Sequence, residues 1–322
     1  MTGERASGWE GPRPLEAAPE RVTRRVVGLL PEMAALVVVL LWASTFVLTK
    51  NVFDELRPLA FAFVRFAGIT LVAFTALAIR SRAADRASWW RIERADVPRF
   101  IASGVCGYTL YQLGFTLGLA HTSPFSSSLL ISMMPLVSLV IVALMGERQP
   151  LGVWAGGVVA LAGVAIFLAN RSGDSGMLGN ALSFGGAVAF ALYGVVSRPL
   201  VRRYRPETFS AYSTLAGAVP LLLVAAPDAL RQDWSRVSEG SWLVIAYMIV
   251  LPVYVAYMLW NWAIARRGVA ITGWSMLVPI ISGVLAAAFS DEAFGPLKLI
   301  GGALAILGLL LMRRPVRSGR RG

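Results

Sequence analysis

Long apolar runs, separated by short polar connections, follow one another along most of the chain. About 20 residues of α-helix cross the ~30 Å hydrocarbon core of a bilayer, and ten runs approach this length. Their polarity does not alternate from residue to residue, which excludes the strands of a membrane barrel. The pattern predicts an all-α membrane protein with ten transmembrane helices, at 33–52, 58–79, 100–120, 125–146, 151–170, 178–197, 207–226, 241–264, 269–290 and 296–312.

The composition agrees with a lipid environment. Of the 322 residues, 57% are apolar and 15% are charged, and the mean hydropathy is +0.65. Soluble domains are nearer 45–50% apolar and about 25% charged. This balance excludes a soluble enzyme, a secreted disulfide scaffold and a disordered protein. The single cysteine, Cys106, permits no internal disulfide, and the single histidine, His121, argues against a histidine-based metal site, so we expect no cofactor and no metal.

The basic residues indicate how the helices are oriented. With the N-terminus in the cytoplasm, 23 of the 30 Lys and Arg residues fall in cytoplasmic segments and four in outer segments. Because basic residues concentrate on the cytoplasmic side, we predict a multi-pass protein of the bacterial inner membrane with both termini inside. The net charge of +12 follows from this topology. It therefore indicates a lipid bilayer as the partner and not a nucleic acid.

The second half of the chain repeats the first. The stretch from Trp42 to Lys50 aligns with Phe190 to Arg198 at an offset of 148 residues. Later matches keep their order at offsets of 144 to 146, and they pair Tyr108 with Tyr254, Tyr111 with Tyr257, Pro135 with Pro279, Glu147 with Glu292, Gly157 with Gly302 and Gly163 with Gly308. We therefore predict a disordered cytoplasmic arm (1–31), a first five-helix repeat (32–170), a second five-helix repeat (177–313) and a basic cytoplasmic tail (314–322).

Each repeat contains an odd number of helices, so the second copy must be inverted in the membrane relative to the first. Two inverted repeats around a central cavity are typical of secondary transporters, which bind their substrates near the midplane between the copies. The duplication is the feature of the sequence that points most directly to transport.

The repeated residues also resemble a known family. The stretch Trp42-Ala43-Ser44 to Lys50, followed by Arg65-Phe66, is similar to the first hairpin of EamA-type proteins in the drug/metabolite transporter superfamily. The doubled run of proline, glutamate and two glycines aligned above is similar as well. The resemblance covers residues 33–312 and implies a ten-helix carrier with a central cavity that moves small metabolites, often outward. Within the superfamily the chain most resembles the aromatic amino-acid exporters.

Two related polar faces are candidates for the cavity wall. Tyr108, Tyr111 and Gln112 have i, i+3, i+4 spacing on the third helix, and the eighth helix carries a similar set, Tyr254, Tyr257 and Asn261. Buried hydroxyl and amide groups need a polar partner or water in lipid. Aromatic walls suit the side chain of an amino acid, and a ring face can hold its ammonium group. Packing between helices is the alternative interpretation of both faces.

Other residues complete the predicted site. Trp42 and Thr45 on the first helix, Ser132 on the fourth, Tyr193 on the sixth and Trp274 on the ninth are further candidates for substrate contact. Hydroxyl groups on membrane helices also bond within their own helix, which is the alternative for Thr45 and Ser132. Pro135 and Pro279 are predicted near mid-span, where each frees a backbone carbonyl. We expect them to act as hinges beside the cavity, with a fixed kink as the alternative.

Charged residues are sparse within the spans. No Asp or Glu lies at a span centre, which favours facilitated diffusion over proton coupling. Arg65, seven residues into the second helix, is expected to snorkel outward or to pair with Asp54 or Glu55 rather than to bind a substrate carboxylate. The motifs HExxH, GxxxxGK[ST] and GxSxG do not occur, so we expect neither an enzyme nor an ATP-driven pump.

The sequence therefore predicts a monomeric secondary transporter that exports aromatic or neutral amino acids, or related small metabolites, by alternating access. Two alternatives remain open. One is a proton-coupled multidrug or nucleotide-sugar antiporter of the same fold. The other is a membrane-embedded enzyme or scaffold that does not transport.

Overall fold

The computed structural model describes residues 18–83, 87–169, 176–267, 274–289 and 294–312, and all regular structure within these ranges is helical. The main helices follow the predicted runs in number and order. They are α1 (Ala18–Val52), α2 (Pro58–Ala83), α3 (Val97–Gly104, Val105–Leu110 and Tyr111–Ala120), α4 (Pro124–Ile131 and Met134–Leu144), α5 (Leu151–Ala169), α6 (Met177–Val196), α7 (Pro206–Arg231), α8 (Glu239–Val250, Leu251–Val255 and Ala256–Arg267), α9 (Leu277–Phe289) and α10 (Pro296–Met312). Short helical turns lie in the connections, at Ala87–Trp90, Arg94–Asp96, Arg198–Arg203 and Trp234–Arg236.

Length and hydropathy support a membrane location. Within the described ranges, seven helices are long and apolar enough to cross a bilayer, and they are α1 from Leu29 onward, α2, α4, α5, α6, α7 and α8. The helices α9 and α10 are apolar but shorter. The prediction of an all-α membrane protein is confirmed.

The first helix begins earlier than the sequence pattern indicates. It starts at Ala18, so residues 18–31 are helical, and the prediction of a disordered arm is wrong for this part. The segment contains Ala, Glu, Arg and Leu, which favour helices, and extending an existing membrane helix needs no new nucleation. Pro19 is tolerated because it lies in the first turn, where its missing N–H has no intrahelical partner.

Prolines and serines define where several helices begin. Proline is the first residue of α2, α4, α7 and α10, the position where it is favoured. The Ser123 hydroxyl accepts a hydrogen bond from the Ser126 amide at the start of α4, and the Ser238 hydroxyl accepts one from the Ser241 amide at the start of α8. These caps satisfy amides that would otherwise lack partners.

Related interruptions occur in the two repeats. A π-helical turn interrupts α3 at Val105–Leu110, and another interrupts α8 at Leu251–Val255. These segments occupy matching places, because 105 and 251 differ by the same 146 residues that relate the tyrosine pairs. Such turns add a residue to the helix and often occur at functional sites.

The two predicted hinge prolines lie in different settings. The regular helix of α4 is interrupted between Ile131 and Met134, directly before Pro135, as expected for a proline that removes a backbone donor. Pro279 lies within the apolar helical stretch Trp274–Phe289, shortly after a 3₁₀ turn at 274–276, and the α-helical part begins at Leu277. The residues that precede Trp274 lie outside the described ones, so the mid-span position and the hinge at Pro279 stay predictions.

Helix packing follows a two-fold relation between the repeats. Helix α5 packs on α10, α2 on α7 and α4 on α9, so each of these pairs joins a helix to its own repeat partner. Helix α1 packs on α8 and α9, and α6 packs on α3 and α4, which is the same arrangement with the copies exchanged. A contact that maps onto itself when the copies are exchanged is what a two-fold axis requires. Together with the odd number of helices per copy, this supports the inverted arrangement.

The α5–α10 contact shows the two-fold relation residue by residue. A Cβ at Gly163 would lie 2.7 Å from the Cα of Ala305, and a Cβ at Gly308 would lie 2.5 Å from the Cα of Ala160. The two contacts are related by the 145-residue offset. The backbones therefore approach more closely than any residue with a side chain allows, as in other membrane helix pairs with small residues at the contact.

Candidate functional site

A cavity of about 470 Å³ lies between the two repeats. Residues of α1, α2, α3 and α4 from the first copy and of α6, α8 and α9 from the second contribute to its wall. The lining side chains are mostly aromatic and aliphatic, and they are Trp42, Thr45, Phe46, Arg65, Tyr111, Gln112, Phe115, Ile131, Ser132, Met134, Pro135, Phe190, Pro252, Val253, Trp260, Ser275, Met276 and Val278. Its size and mainly apolar wall are typical of a small-molecule site.

The structure places six of the predicted residues on this wall. They are Trp42, Thr45, Tyr111, Gln112 and Ser132 from the predicted cavity set, and Pro135 from the predicted hinges. They come from α1, α3 and α4, all in the first repeat. The aromatic side chains that complete the wall, Phe46, Phe115, Phe190 and Trp260, were not predicted.

Tyr108 and Tyr193 lie behind the wall. Their rings meet edge to face with centroids 5.9 Å apart, and the Tyr108 hydroxyl interacts with Tyr193 and Thr214. Tyr193 also stacks on Phe209, with centroids 6.3 Å apart. In this structure both tyrosines join helices and are absent from the lining of the cavity, which for Tyr108 matches the alternative of packing between helices.

Tyr254, Tyr257 and Trp274 are also absent from the described part of the wall. Tyr254 is half-buried, Tyr257 is 50% exposed, and the side chain of Asn261 lies outside the described residues. Trp274 packs against the cluster that contains Phe46 and Phe115, next to the cavity.

The first π turn explains why the tyrosine face of α3 divides, with Tyr111 and Gln112 on the wall and Tyr108 behind it. Tyr108 lies inside the first turn, whereas Tyr111 and Gln112 follow it. An extra residue rotates the following helix by about 100°, since 3.6 residues complete a turn. Tyr254 lies inside the second π turn in the same way. The i, i+3, i+4 rule assumes a regular helix, so it fails at both places.

Hydrogen bonds fix several lining side chains. The indole N–H of Trp42 donates to the Pro252 carbonyl at 3.1 Å, and its ring lies 5.0 Å from that of Trp260. This contact joins α1 to the second π turn. The Thr45 hydroxyl donates to the Trp42 carbonyl at 2.6 Å, and the Gln112 amide nitrogen donates to the Thr116 hydroxyl at 2.9 Å. Both side chains keep oxygen lone pairs that can accept from a ligand.

Arg65 is the charged side chain of the wall, and its position was not predicted. It is only 8% exposed, and its guanidinium carbon lies 5.8 Å from the ring centres of Phe61, Phe66 and Phe115. Its Nε and Nη1 atoms have no hydrogen-bond partner within the described part of the chain. The expected pairing with Asp54 or Glu55 is wrong.

Glu55 has other partners. Its carboxylate accepts hydrogen bonds from the Ser238 amide at 2.8 Å and the Ser238 hydroxyl at 2.9 Å, at the start of α8. The amide bond in particular lowers the pKa of Glu55 below its usual value. Arg65, by contrast, lies in the second turn of α2 on the side that faces α3, where Phe115 covers it. A sequence signal existed, because an arginine flanked by apolar residues on a membrane helix is by default a functional candidate.

The described residues include no group of three or more His, Cys, Asp or Glu side chains close enough to hold a metal ion. None of the described side chains that line the cavity is acidic. The chemistry that the wall offers to a ligand consists of aromatic faces, a few hydroxyl and amide groups, and one guanidinium.

Comparison with known proteins agrees with this architecture. The chain is 30% identical over 291 residues to the "Probable terminal-alkyne amino-acid exporter" of Streptantibioticus cattleyicolor, which covers 89% of the chain and 95% of that relative. It is 28% identical over 240 residues to the "Uncharacterized transporter YyaM" of Bacillus subtilis, with 70% of the chain and 75% of the relative covered. A solved crystal structure matches the fold with a TM-score of 0.61 at 23% identity, over 88% of this chain and 99% of that one.

The family match repeats the internal duplication. The sequence pattern of the EamA-like transporter family matches residues 29–169 and matches again at residues 177–314. These two ranges follow the two helix sets that pack with a two-fold relation around the cavity. The chain is a multi-pass membrane protein, and it belongs to the EamA-like transporter family.

Proposed function

We propose that this transporter exports amino acids, aromatic or neutral, or closely related small metabolites. It works by alternating access in the bacterial inner membrane, with both termini in the cytoplasm. The observation that carries the proposal is the cavity between the repeats, which takes wall residues from both copies and has the volume of a site for a small organic molecule. In an inverted-repeat carrier this is the place that opens to one side and then to the other.

The wall chemistry favours an amino acid over a sugar. Aromatic rings from four helices face the cavity, Trp42 and Trp260 on one side and Tyr111 and Phe190 in contact at 4.9 Å on another. Such rings pack against apolar and aromatic side chains, and their faces attract an ammonium group. A sugar would need many more hydrogen-bonding groups than the few that this wall offers. The name of the Streptantibioticus relative, an amino-acid exporter, supports the same substrate class.

Transport is proposed to follow the substrate's own gradient. Proton-coupled carriers keep a titratable group in the membrane, and among the described residues no side chain that lines this cavity is a carboxylate or histidine. Glu147 lies beyond the end of α4 and forms an exposed pair with Arg198 at 3.3 Å. A carboxylate in that position is solvated and is not poised to couple proton movement to the cavity.

Counterflow in proteoliposomes tests the proposal. Vesicles are loaded in turn with each of the twenty amino acids, with several drugs and sugars as controls, and uptake of the same labelled compound is measured. We expect counterflow with aromatic and neutral amino acids, and we expect it to persist when an ionophore collapses the proton gradient. Counterflow with sugars or drugs alone would contradict the substrate class. Uphill accumulation driven by an imposed pH gradient would contradict facilitated diffusion.

A further inference from the structure

The least satisfied charged group in the described part of the chain is Arg65. Taking a cation out of water is costly unless hydrogen bonds and an opposite charge compensate it. Only 8% of the Arg65 surface is exposed, and two of its nitrogen atoms lack hydrogen-bond partners within the described residues. No salt bridge involving Arg65 is present among the described residues.

Two other basic residues of the spans show what a satisfied cation looks like in this protein. The Lys50 ammonium, near the end of α1, donates to the carbonyls of Leu119, Ala120 and Thr122 at 2.9 to 3.1 Å. The buried Lys298 ammonium donates to the Ser123 hydroxyl at 3.4 Å. Both Lys298 and Arg65 lie close to aromatic rings. Arg65 differs because two of its nitrogen atoms have no hydrogen-bond partner within the described residues and because it lies on the wall of the cavity.

We propose that Arg65 binds the carboxylate of the transported substrate, an assignment that rests on the proposed function. The guanidinium presents its N–H groups in a planar fork that matches the two oxygens of a carboxylate. The rings of Phe61, Phe66 and Phe115 attract the cation but offer no lone pair. They hold the guanidinium in place and leave the hydrogen-bonding capacity of Nε and Nη1 for a ligand.

The charge of the cavity determines which ligands fit. Within the described ranges, the lining residues carry one positive charge and no negative charge. A compound with a carboxylate compensates that charge, whereas an amide or an amine of the same shape leaves it uncompensated. The structure therefore assigns a carboxylate as the required group of the substrate, and the aromatic wall around Trp42 and Trp260 receives the rest of the molecule.

Three probes of one shape separate these requirements. Phenylalanine carries both charged groups, 3-phenylpropionate keeps only the carboxylate, and phenylalaninamide keeps only the ammonium. Binding to the purified protein is measured by thermal shift and by tryptophan fluorescence, because Trp42 and Trp260 line the cavity. Transport of phenylalanine is measured separately by counterflow. We expect the two carboxylates to bind and the amide to bind at least tenfold more weakly.

Substitutions at Arg65 test whether this residue causes the expected preference for carboxylates. Arg65→Gln should weaken binding of both carboxylates about ten- to a hundredfold, the range for losing a hydrogen bond to a charged group, and should bring them level with the amide. Arg65→Lys should give an intermediate loss, because it keeps the charge and loses the planar fork. Arg80→Gln is the matched control on the same helix. It removes a pair between the exposed Arg80 and the half-buried Glu207 at 3.0 Å, and because Arg80 does not line the cavity it should leave binding unchanged.

The outcomes separate this inference from the proposed function. Carboxylate binding that depends on Arg65, without counterflow, would support Arg65 as the residue that binds the carboxylate and would refute transport of amino acids. Binding that does not distinguish acid from amide, together with counterflow of phenylalanine, would refute the role of Arg65 in binding the carboxylate and leave the carrier function intact. If Arg65→Gln fails to fold, the acid and amide comparison on the unmodified protein and the Arg65→Lys variant decide the question. Equal affinity of the unmodified protein for all three probes overturns the assignment.

Discussion

Adding one methyl group at Gly163 or at Gly308 should destabilise the contact between α5 and α10. In Gly163→Ala the new Cβ would lie 2.7 Å from both the Ala305 Cα and the Gly301 carbonyl oxygen. The backbone nitrogen of Ala305 would lie closer still. Ordinary van der Waals contact begins near 3.4 Å, so the helices must separate by more than about 0.7 Å at this point. All three obstructing atoms belong to backbone, so no side-chain rotation relieves the overlap. Overpacking of this kind costs about 1–3 kcal/mol.

The same cost should appear at the related position. In Gly308→Ala the new Cβ would lie 2.5 Å from the Ala160 Cα, so we expect a loss of stability similar to that of Gly163→Ala. Gly185→Ala is the matched control, because it adds the same methyl to α6 with nothing within 4 Å. Alanine is also the better helix former, so this variant should be neutral or slightly stabilising.

The assay is the unfolding temperature of the purified protein in detergent, measured for all three variants in one buffer. The structure predicts that Gly163→Ala and Gly308→Ala unfold at lower temperatures by similar amounts, whereas Gly185→Ala does not. If Gly163→Ala and Gly308→Ala both unfold at the same temperature as the unmodified protein, the close two-fold contact between α5 and α10 is refuted. A defect in only one of them would refute its symmetry.

Three further predictions address the orientation in the membrane, the cavity wall, and the Asp96 carboxylate in the connection between α2 and α3. In a protein without its native cysteine, Arg236→Cys should react with an impermeant reagent added outside intact cells, whereas Arg202→Cys should not; the reverse would overturn the orientation. Tyr111→Ala removes a lining ring worth on the order of 1 kcal/mol, so it should change the ranking of substrates several-fold in counterflow, whereas Tyr108→Ala should lower the unfolding temperature and keep the ranking. A hydrogen bond from the Tyr204 hydroxyl holds the pKa of Asp96 below its usual value of 3.8, so the stability that the carboxylate contributes is present above that pH and lost below it. Asp96→Asn should therefore lower the unfolding temperature at pH 7, and the difference should disappear as the pH falls below about 4; a difference independent of pH would contradict this.

The fold was largely predictable because bilayer thickness and backbone hydrogen bonding leave few options for a long apolar run. The matching offsets of the two halves were sufficient to predict the repeat. The start of α1 at Ala18 was missed because the polarity of 18–31 conceals residues that favour a helix. Hydropathy indicates which segments lie in lipid, but it does not indicate where a helix begins or ends.

The site was predicted only in part, and the reasons are local. Tyr111 and Gln112 line the cavity but Tyr108 does not, because a π turn that nothing in the local sequence announces changes the helix register between them. Trp260 was missed for a related reason, since the face predicted on α8 was counted through the second π turn. Arg65 was misplaced because snorkelling is the usual behaviour of an arginine near a helix end, and burial by Phe115 depends on a helix distant in sequence.

Counterflow through a blocked cavity tests the central claim, that this chain carries amino acids through the space between its repeats. Ser132 lines the cavity and donates its hydroxyl to the Ser128 carbonyl at 2.7 Å. Ser132→Trp fills the space, and Ser132→Ala removes the same hydroxyl without filling it. The account predicts counterflow of a labelled amino acid with the unmodified protein and with Ser132→Ala, and none with a folded Ser132→Trp. Full counterflow in Ser132→Trp, or none with any amino acid in the unmodified protein, would contradict it.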